Sequence, residues 1–512
     1  MGKIFITKFN KMAKVYLVNP SIRPEDLLGP DSKTDPPPHV LPPLGLLSLA
    51  GNLRNKGHEV TIIDAAAEKD AQGRLMSNED IVKRVQQGSL DYIGITSTLV
   101  SISSANNLAQ KLRSAQGISS NIPIIFGGHQ ISAIFTPRGF FSETLKSMPS
   151  DKRREILGRF SGMSFGIIGE GEIVLARAIS SMEKGEDLKN LPGTVFLEDG
   201  DFKANPPDFL KDLDSLGEES GKETFPAYDL LRDPVNDYSA SPMTCDSARP
   251  SISVIFSRGC PGRCTFCDSS VHGKSLRTHS PEWAFKLLKS LEENFGYRDF
   301  YVTDDQGTGN RDFMEGFCRF MEKEGKNYSL ALVGRAKPFW KEALQRMKQN
   351  GAHQIAFGCE SANDQILRAY KKGIKLDDLV DSIKQSQEIG LDVKGLFMVG
   401  NPFETTETLE RTEKFKEEQG FKYTSTSVLT PIPGSELYAS SVEDLSGEYF
   451  DGKFYMGNRL GVWLEDPNNW EEMTLWKPVW IPRTLVRERG SPEKARRKLN
   501  DFIGRRNSKQ SF

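Results

Sequence analysis

Through the first two hundred residues, short β-branched apolar runs alternate with stretches whose apolar positions recur every three or four residues, the rhythm of a parallel α/β sheet. The pattern predicts strands at Val15 to Val18, Val60 to Ile63, Tyr92 to Ile95, Ile122 to Phe126 and Phe165 to Ile168, with a further strand-like run at Thr194 to Leu197. Each of the five ends on small or polar residues: Asn19-Pro20-Ser21, Asp64, Thr96-Ser97-Thr98, Gly127-Gly128-His129 and Gly169-Glu170-Gly171-Glu172. Sheets of this kind bind ligands outside the carboxyl ends of their strands. A glycine there lets a ligand approach the backbone, although a tight strand-to-helix turn needs glycine just as much. From Glu198 to Pro250 the chain is rich in Asp, Pro and Ser, which reads as a surface linker.

The β/α rhythm resumes with a run at Ile252 to Phe256, and Ser280-Pro281-Glu282 supplies the N-cap, proline and acid that start a helix. Strands then follow at Phe300 to Thr303, Leu330 to Val333, Gln354 to Phe357, Val393 to Val399 and Thr424 to Leu429. Six strands with intervening helices predict an open, partial (β/α)6 barrel with its active site at the carboxyl ends. Polar residues gather there: Asp304 and Asp305, Arg335, Glu360 and Ser361, Gly400-Asn401-Pro402, and Thr430-Pro431-Ile432-Pro433-Gly434. The pattern divides the chain into a tail (1–13), a sheet domain (14–200), a linker (201–250), the barrel (251–440) and a last segment (441–512). That segment holds four of the six tryptophans, Trp463, Trp470, Trp476 and Trp480, and reads as a small, helical cap that would also wall an apolar substrate pocket.

Composition narrows the function. With 67 Lys and Arg against 69 Asp and Glu, nothing in the overall charge points to nucleic acid or an anionic membrane. The basic stretch Lys494 to Arg506 opens on Ser491-Pro492-Glu493 and reads as the solvated face of a terminal helix rather than an RNA-binding tail. No apolar run is long enough to span a bilayer, and Met1 to Lys11 carries no secretion signal, so a cytoplasmic location is expected. Between Gly128 and Gly169 the chain carries more residues than a connection of this kind needs, and an inserted helix over the sheet edge is expected there.

The chemistry is concentrated in Ser257-Arg258-Gly259-Cys260-Pro261-Gly262-Arg263-Cys264-Thr265-Phe266-Cys267-Asp268. Three thiolates on one short loop are an incomplete cage: an iron-sulfur cube takes four protein ligands, so a loop offering Cys260, Cys264 and Cys267 leaves one iron open. Structural zinc is the alternative, with Cys245 or His272 as fourth ligand, but neither has the spacing of a zinc knuckle. Only 6 cysteines in 512 residues, the other three scattered at 245, 318 and 359, do not make a disulfide framework.

The C-x3-C-x2-C loop resembles that of the radical S-adenosylmethionine (SAM) enzymes. Leu41-Pro42-Pro43-Leu44-Gly45-Leu46, Thr96-Ser97-Thr98, Gly127-Gly128 and Gly169-Glu170-Gly171-Glu172 resemble the cobalamin-binding domain of the cobalamin-dependent members. Gly358-Cys359-Glu360-Ser361, Gly400 to Thr405 and Pro431 to Tyr438 resemble that group's later barrel strands, so the likeness runs from Lys14 to Tyr438. The Asp-x-His-x-x-Gly signature of classical cobalamin carriers is missing, and His129 stands one place earlier than in the common Gly-Gly-x-His. The resemblance implies an α/β protein with an N-terminal Rossmann-like cobalamin-binding domain and a radical SAM barrel. It implies a 4Fe-4S cluster on the three cysteines. It further implies SAM beside Phe266, Asp304, Asp305, Arg335, Glu360, Ser361, Gly400 and Pro431. The cobalamin would lie against Asn19, Pro20, Leu44, Gly45, Thr96, Ser97, Thr98, Gly127, Gly128, His129, Gly169, Glu170 and Gly171. Arg335 suits the SAM carboxylate because a guanidinium pairs with it in a fork. The carboxylates suit its amino group and ribose, and Cys359 reads as a core residue.

The implied reaction is reductive cleavage of SAM to methionine and a 5'-deoxyadenosyl radical, with cobalamin passing a methyl group to an unactivated carbon or phosphorus centre and a second SAM restoring it. Ring formation, rearrangement or oxidation without methyl transfer is the alternative. Methylthiolation is disfavoured because that family has a second cysteine triplet towards the amino terminus and no cysteine here precedes Cys245. A zinc-stapled, non-enzymatic binding module is the remote reading. The expected partners are a small-molecule substrate of apolar character and an electron donor such as flavodoxin or ferredoxin, with no nucleic acid.

Overall fold

The structure is a computed structural model that describes residues 12–22, 40–70, 72–98, 101–137, 157–158, 160, 162–199, 201–216, 223–238, 250–401, 403–429 and 432–443. Two compact units emerge, one built mainly from the chain up to Ser239 and the other mainly from Ala240–Asp268 and from Lys274 onward.

In the first unit, five parallel strands, β1 (Lys14–Asn19), β2 (Glu59–Asp64), β3 (Tyr92–Thr96), β4 (Ile124–Gly127) and β5 (Phe165–Ile167), are extended by an antiparallel hairpin, β6 (Thr194–Glu198) and β7 (Asp201–Ala204). The order is β2-β1-β3-β4-β5-β6-β7. Central strands are buried on both faces, as in Tyr92–Ile95, which is why they read as continuous apolar runs rather than as an alternation. The chain reverses direction in the sheet between β1 and β3, and such a switch point opens a crevice beyond the strand ends.

Two expectations change here. Asp201–Ala204, assigned to the linker, is the edge strand of the sheet; its signal was Asp199-Gly200, a hairpin dipeptide, with Asp199 at φ 52°. The chain from 223 to 238 is also packed rather than superficial. Ala227, Tyr228, Leu231 and Tyr238 are buried, and Ala227 N–H donates to Leu47 O at 3.0 Å. A Cβ on Gly51 would meet Phe225 O at 2.1 Å, so this glycine lets the segment lie against the helix Leu44–Asn55. The acidic and proline residues interspersed with them, Pro226, Asp229, Asp233 and Pro234, read as a surface turn and hid these apolar contacts.

The second unit is a six-stranded, all-parallel sheet in sequence order, β8 (Ser251–Val254), β11 (Asp299–Val302), β12 (Ser329–Gly334), β13 (Ala352–Glu360), β14 (Asp392–Val399) and β15 (Tyr423–Val428), an open half-barrel. A two-stranded ribbon, β9 (Ser257–Arg258) with β10 (Arg277–Thr278), follows β8. Helices Pro281–Phe295, Arg311–Lys323, Lys341–Gln349, Leu376–Ile389 and Thr406–Glu418 make the crossovers. The first starts as its sequence dictates: Ser280 Oγ accepts from Trp283 N–H with Pro281 in the first turn, and Gly296 closes it in the left-handed region at φ 76°. The core beneath the cysteine loop is aromatic, with Phe256 tilted against Phe313 and Phe317 at ring-centroid separations of 5.9 and 5.7 Å. β13 runs three residues beyond its predicted end, through a bulge between Gly358 and Glu360. Of the insertion expected between Gly128 and Gly169, residues 138–156 lie outside the described residues, as do 444–512 of the expected cap and the basic stretch Lys494 to Arg506.

Candidate active site

The cysteine loop leaves β9 and is tied down at several points. Gly259 N–H donates to Asp305 Oδ2 at 2.8 Å, and just upstream Phe256 N–H and Ser257 Oγ donate to the two oxygens of Asp304, each at 2.7 Å. On the far side Thr265 N–H donates to Tyr370 O at 2.9 Å, and Leu437 N–H to Thr265 O at 2.7 Å. Asp304 and Asp305, expected beside SAM, fasten the cysteine loop to the end of β11. Asp304 is 3% exposed, and burial pushes its carboxyl up to about 6 against the pull of the Ser257 and Phe256 hydrogen bonds.

Cys260 and Cys264 are half-buried and Cys267 is exposed. Arg335, one residue past β12, places Nη1 3.9 Å from Cys260 Sγ and 3.7 Å from Cys264 Sγ, while Gly262 N–H donates to Cys260 Sγ at 3.4 Å. Donors aimed at sulfur suit thiolates that carry the negative charge of a cluster. Gln306, 3% exposed and not expected in the site, faces Cys260 at 3.8 Å. Cys245, one of the two fourth ligands a zinc site could use, lies outside the described residues. The donor set, the loop anchoring and the facing cation therefore fit a three-cysteine iron-sulfur site.

Beside the loop, Lys372 Nζ and Glu360 Oε1 form an ion pair at 2.6 Å, with both side chains under 10% exposed. Burial works against the Lys372 charge, but the Glu360 carboxylate and Cys264 outweigh it, so its proton is held more tightly than usual. Gly358 makes room for this pair, since a Cβ there would lie 2.6 Å from Glu360 Oε1 and 2.7 Å from Lys372 Nζ. Glu360 itself sits at φ 59°, a conformation that costs a side-chain-bearing residue about 1–3 kcal/mol. Sequence reasoning found Glu360 and missed Lys372, whose partner lies on another element.

Phe266, between two cysteines, packs edge-on against Tyr370 at 5.1 Å between centroids and lies 5.9 Å from Lys372 Nζ. The Tyr370 hydroxyl is buried beside Asn401, and burial holds its proton well above the usual phenol range. Ser361 does not join this group: it is buried, with Oγ 3.5 Å from Thr412 Oγ1 on the helix Thr406–Glu418. Gly400, at φ 97°, donates its N–H to Glu404 Oε2 at 3.2 Å. Burial raises the carboxyl of Glu404, another residue not anticipated, to about 7. Pro431 lies outside the described residues.

In the first unit the expected cobalamin residues fall along one sheet edge. Asn19 ends β1 and donates from Nδ2 to Asp64 Oδ1 at 2.8 Å; Pro20 is buried after it. Asp64, 1% exposed, also accepts from Tyr238 Oη at 2.8 Å, and burial lifts its carboxyl to about 6. Thr96 and Thr98 flank buried Ser97, whose N–H and Oγ both donate to Gly127 O, at 2.9 and 3.0 Å. Gly128 is required by this packing, because at φ 91° its Cβ would lie 2.6 Å from Thr96 Oγ1. Gly169 likewise makes room for Pro207. Glu170 is buried and accepts from Leu210 N–H at 3.0 Å, and Gly171 opens the helix Gly171–Glu183 against Leu49. His129 begins the helix His129–Phe135 and is half-buried. Leu44 and Gly45 start the helix Leu44–Asn55; Gly45 is exposed, and a Cβ there would meet nothing within 4 Å among the described residues. These residues gather at the carboxyl ends of the strands around the switch point, where a sheet of this kind takes its ligand.

Comparison with known proteins agrees with both halves. Residues 254–415 match the model of the Radical SAM superfamily and residues 35–139 that of the B12 binding domain. Over 403 residues, 78% of each chain, the protein is 30% identical to an uncharacterized methyltransferase of Pyrococcus horikoshii. It is 26% identical over 346 residues to an anaerobic magnesium-protoporphyrin IX monomethyl ester cyclase of Synechocystis, spanning 66% of this chain and 60% of that relative. Among solved structures it resembles the radical S-adenosylmethionine methyltransferase TsrM from Kitasatospora setae, with cobalamin and a 4Fe-4S cluster bound, at TM-score 0.63 and 16% identity over 86% of this chain and 76% of that one. A parallel half-barrel that presents three cysteines from the loop after its first strand defines a radical SAM enzyme. With its B12 binding domain, the chain belongs to the cobalamin-dependent radical SAM family, whose cofactors are a 4Fe-4S cluster, SAM and cobalamin. No helix among the described residues is long and apolar enough to cross a membrane.

Proposed function

We propose that this enzyme methylates an unactivated carbon, or a phosphorus centre, of a small molecule with apolar character. The observation that carries the reading is the methyltransferase name of a relative that matches 78% of both chains, B12 and radical SAM portions together. When bound, the cluster and SAM supply a 5'-deoxyadenosyl radical and cobalamin supplies the methyl carrier. The chain's part is to hold and orient. Asp304 and Asp305 fix the cysteine loop, Phe266 and Tyr370 give an apolar wall beside it, and the Lys372–Glu360 pair presents one cation and one carboxylate for the polar end of SAM. For a substrate carbon R–H the reaction balances as R–H plus two SAM plus two electrons giving R–CH3, 5'-deoxyadenosine, methionine and S-adenosylhomocysteine. The electrons are assigned to a reduced flavodoxin or ferredoxin.

The test is anaerobic turnover of the reconstituted enzyme with methyl-labelled SAM and a small-molecule extract. Methyl transfer requires label in a small-molecule product together with both 5'-deoxyadenosine and S-adenosylhomocysteine. The cyclase relative favours a second reading, in which cobalamin serves ring formation or oxidation. Formation of 5'-deoxyadenosine with no S-adenosylhomocysteine, and a product of unchanged carbon count, selects that reading and removes the first.

A further inference from the structure

Arg335 was expected to meet the SAM carboxylate, but its surroundings suit a different task. Its Nη1 faces two of the three cysteine sulfurs, at 3.9 and 3.7 Å. Its Nη2 is committed elsewhere, donating to Lys372 O on the residue whose side chain is locked to Glu360. Turning the guanidinium towards a carboxylate would break these bonds. The loop is shaped to admit it: a Cβ on Gly262 would lie 2.4 Å from Arg335 Nη1 and 3.2 Å from Cys260 Sγ, so a side chain there would displace the guanidinium from this position. Lys372 is paired with Glu360, whereas Arg335 makes no ion pair with a carboxylate among the described residues. Its charge is therefore spent on the thiolates.

We infer that Arg335 is a tuning residue, whose hydrogen bonds to the Cys260 and Cys264 thiolates raise the reduction potential of the cluster they hold. The inference rests on the radical SAM reading of the three cysteines. One-electron reduction, by the external donor or by dithionite, adds negative charge to the cluster. A permanent cation and N–H donors at the ligand sulfurs stabilise that charge more than they stabilise the oxidised state, and a half-buried site screens them little. Gly262 N–H acts in the same sense on Cys260.

The experiment is an EPR-monitored redox titration of the full chain, reconstituted anaerobically and held without SAM so that loss of a SAM contact cannot move the reading. Four variants are compared with the wild type: Arg335→Gln, Arg335→Lys, Gly262→Ala and the Gly262→Ala/Arg335→Gln double. At the potential where the wild type is half-reduced, R335Q is expected to lower the ratio of reduced to oxidised cluster about tenfold, a shift of ~59 mV to more negative potential for one electron. R335K, which keeps the charge and loses the fork, is expected to shift less. G262A, which displaces the guanidinium, shifts in the direction of R335Q and adds nothing in the R335Q background. An R335Q protein with wild-type iron and sulfide content that titrates at the wild-type potential overturns the inference. If glutamine at 335 blocks cluster assembly, G262A and R335K are judged by the same criterion. A wild-type chain that assembles no cluster overturns the radical SAM reading beneath the inference, a result distinct from an unshifted potential.

Discussion

Replacing Gly45 with alanine is expected to raise the stability of the cofactor-free protein and to weaken cobalamin binding. Gly45 is the second residue of the helix Leu44–Asn55, is exposed, and has nothing within 4 Å of the place its Cβ would occupy among the described residues. In a helix, alanine is better than glycine by up to about 1 kcal/mol, which for a unit of this size raises Tm by roughly 2–4 °C. The same methyl group stands where the sheet's ligand edge meets the helix start. If the corrin lies there, the methyl overpacks the contact by about 1–3 kcal/mol, or roughly 5- to 150-fold in Kd. Gly128→Ala serves as the contrast. At φ 91° and 2.6 Å from Thr96 Oγ1 it is expected to lower both stability and binding. Both quantities come from one preparation, by thermal unfolding of the cofactor-free chain and absorbance titration with hydroxocobalamin. A G45A protein with raised Tm and unchanged affinity refutes the placement of cobalamin at this helix.

Three further outcomes follow from the buried polar groups. Lys372→Met leaves the Glu360 charge buried without its partner, at about 3–5 kcal/mol, and the Lys372→Met/Glu360→Gln double recovers most of that; the readout is hydrogen-exchange protection along 352–360, and unaltered protection in the single variant contradicts the pairing. Asp304→Ala strands the Phe256 N–H and Ser257 hydroxyl, each worth about 1–3 kcal/mol, and is expected to lower iron and sulfide per chain after reconstitution, with Asp304→Asn intermediate; full cluster content in the alanine variant argues against the anchoring role. Burial lifts the Asp64 carboxyl from 3.8 to about 6, so the folded unit keeps a proton that the unfolded chain has released. That contribution is complete below about pH 3.8 and is lost as pH rises through about 6, about 3 kcal/mol in all. In urea unfolding across that range, Asp64→Asn therefore gains on the wild type as pH rises, and a pH-independent difference contradicts this.

Local chemistry was legible in the sequence wherever spacing alone decides it. The strands follow from β-branched runs, and the cysteine loop from three thiols within eight residues. What depends on direction in space was not. Asp304 and Asp305 were placed correctly at a strand end, but the side on which they make their hydrogen bonds depends on how the loop after β9 folds back. Lys372 meets Glu360 because β13 bulges at Gly358, a backbone detail with no composition signal. Gly45 and Gly128 are the same residue in similar motifs, yet one faces open space and the other is wedged against Thr96. The 223–238 segment was misread because its buried residues, Ala227, Tyr228, Leu231 and Tyr238, stand among Pro226, Asp229, Asp233 and Pro234, which read as turn and surface.

The central claim, that Cys260, Cys264 and Cys267 hold a cluster with one iron open to SAM, is tested most directly by EPR of the dithionite-reduced, reconstituted full chain before and after SAM is added. The account predicts iron and sulfide in the ratio of a 4Fe-4S cluster, a signal that changes on SAM binding, and loss of that response when any one of the three cysteines is replaced by alanine. A cluster signal indifferent to SAM, or a SAM response that persists in Cys264→Ala, would contradict it.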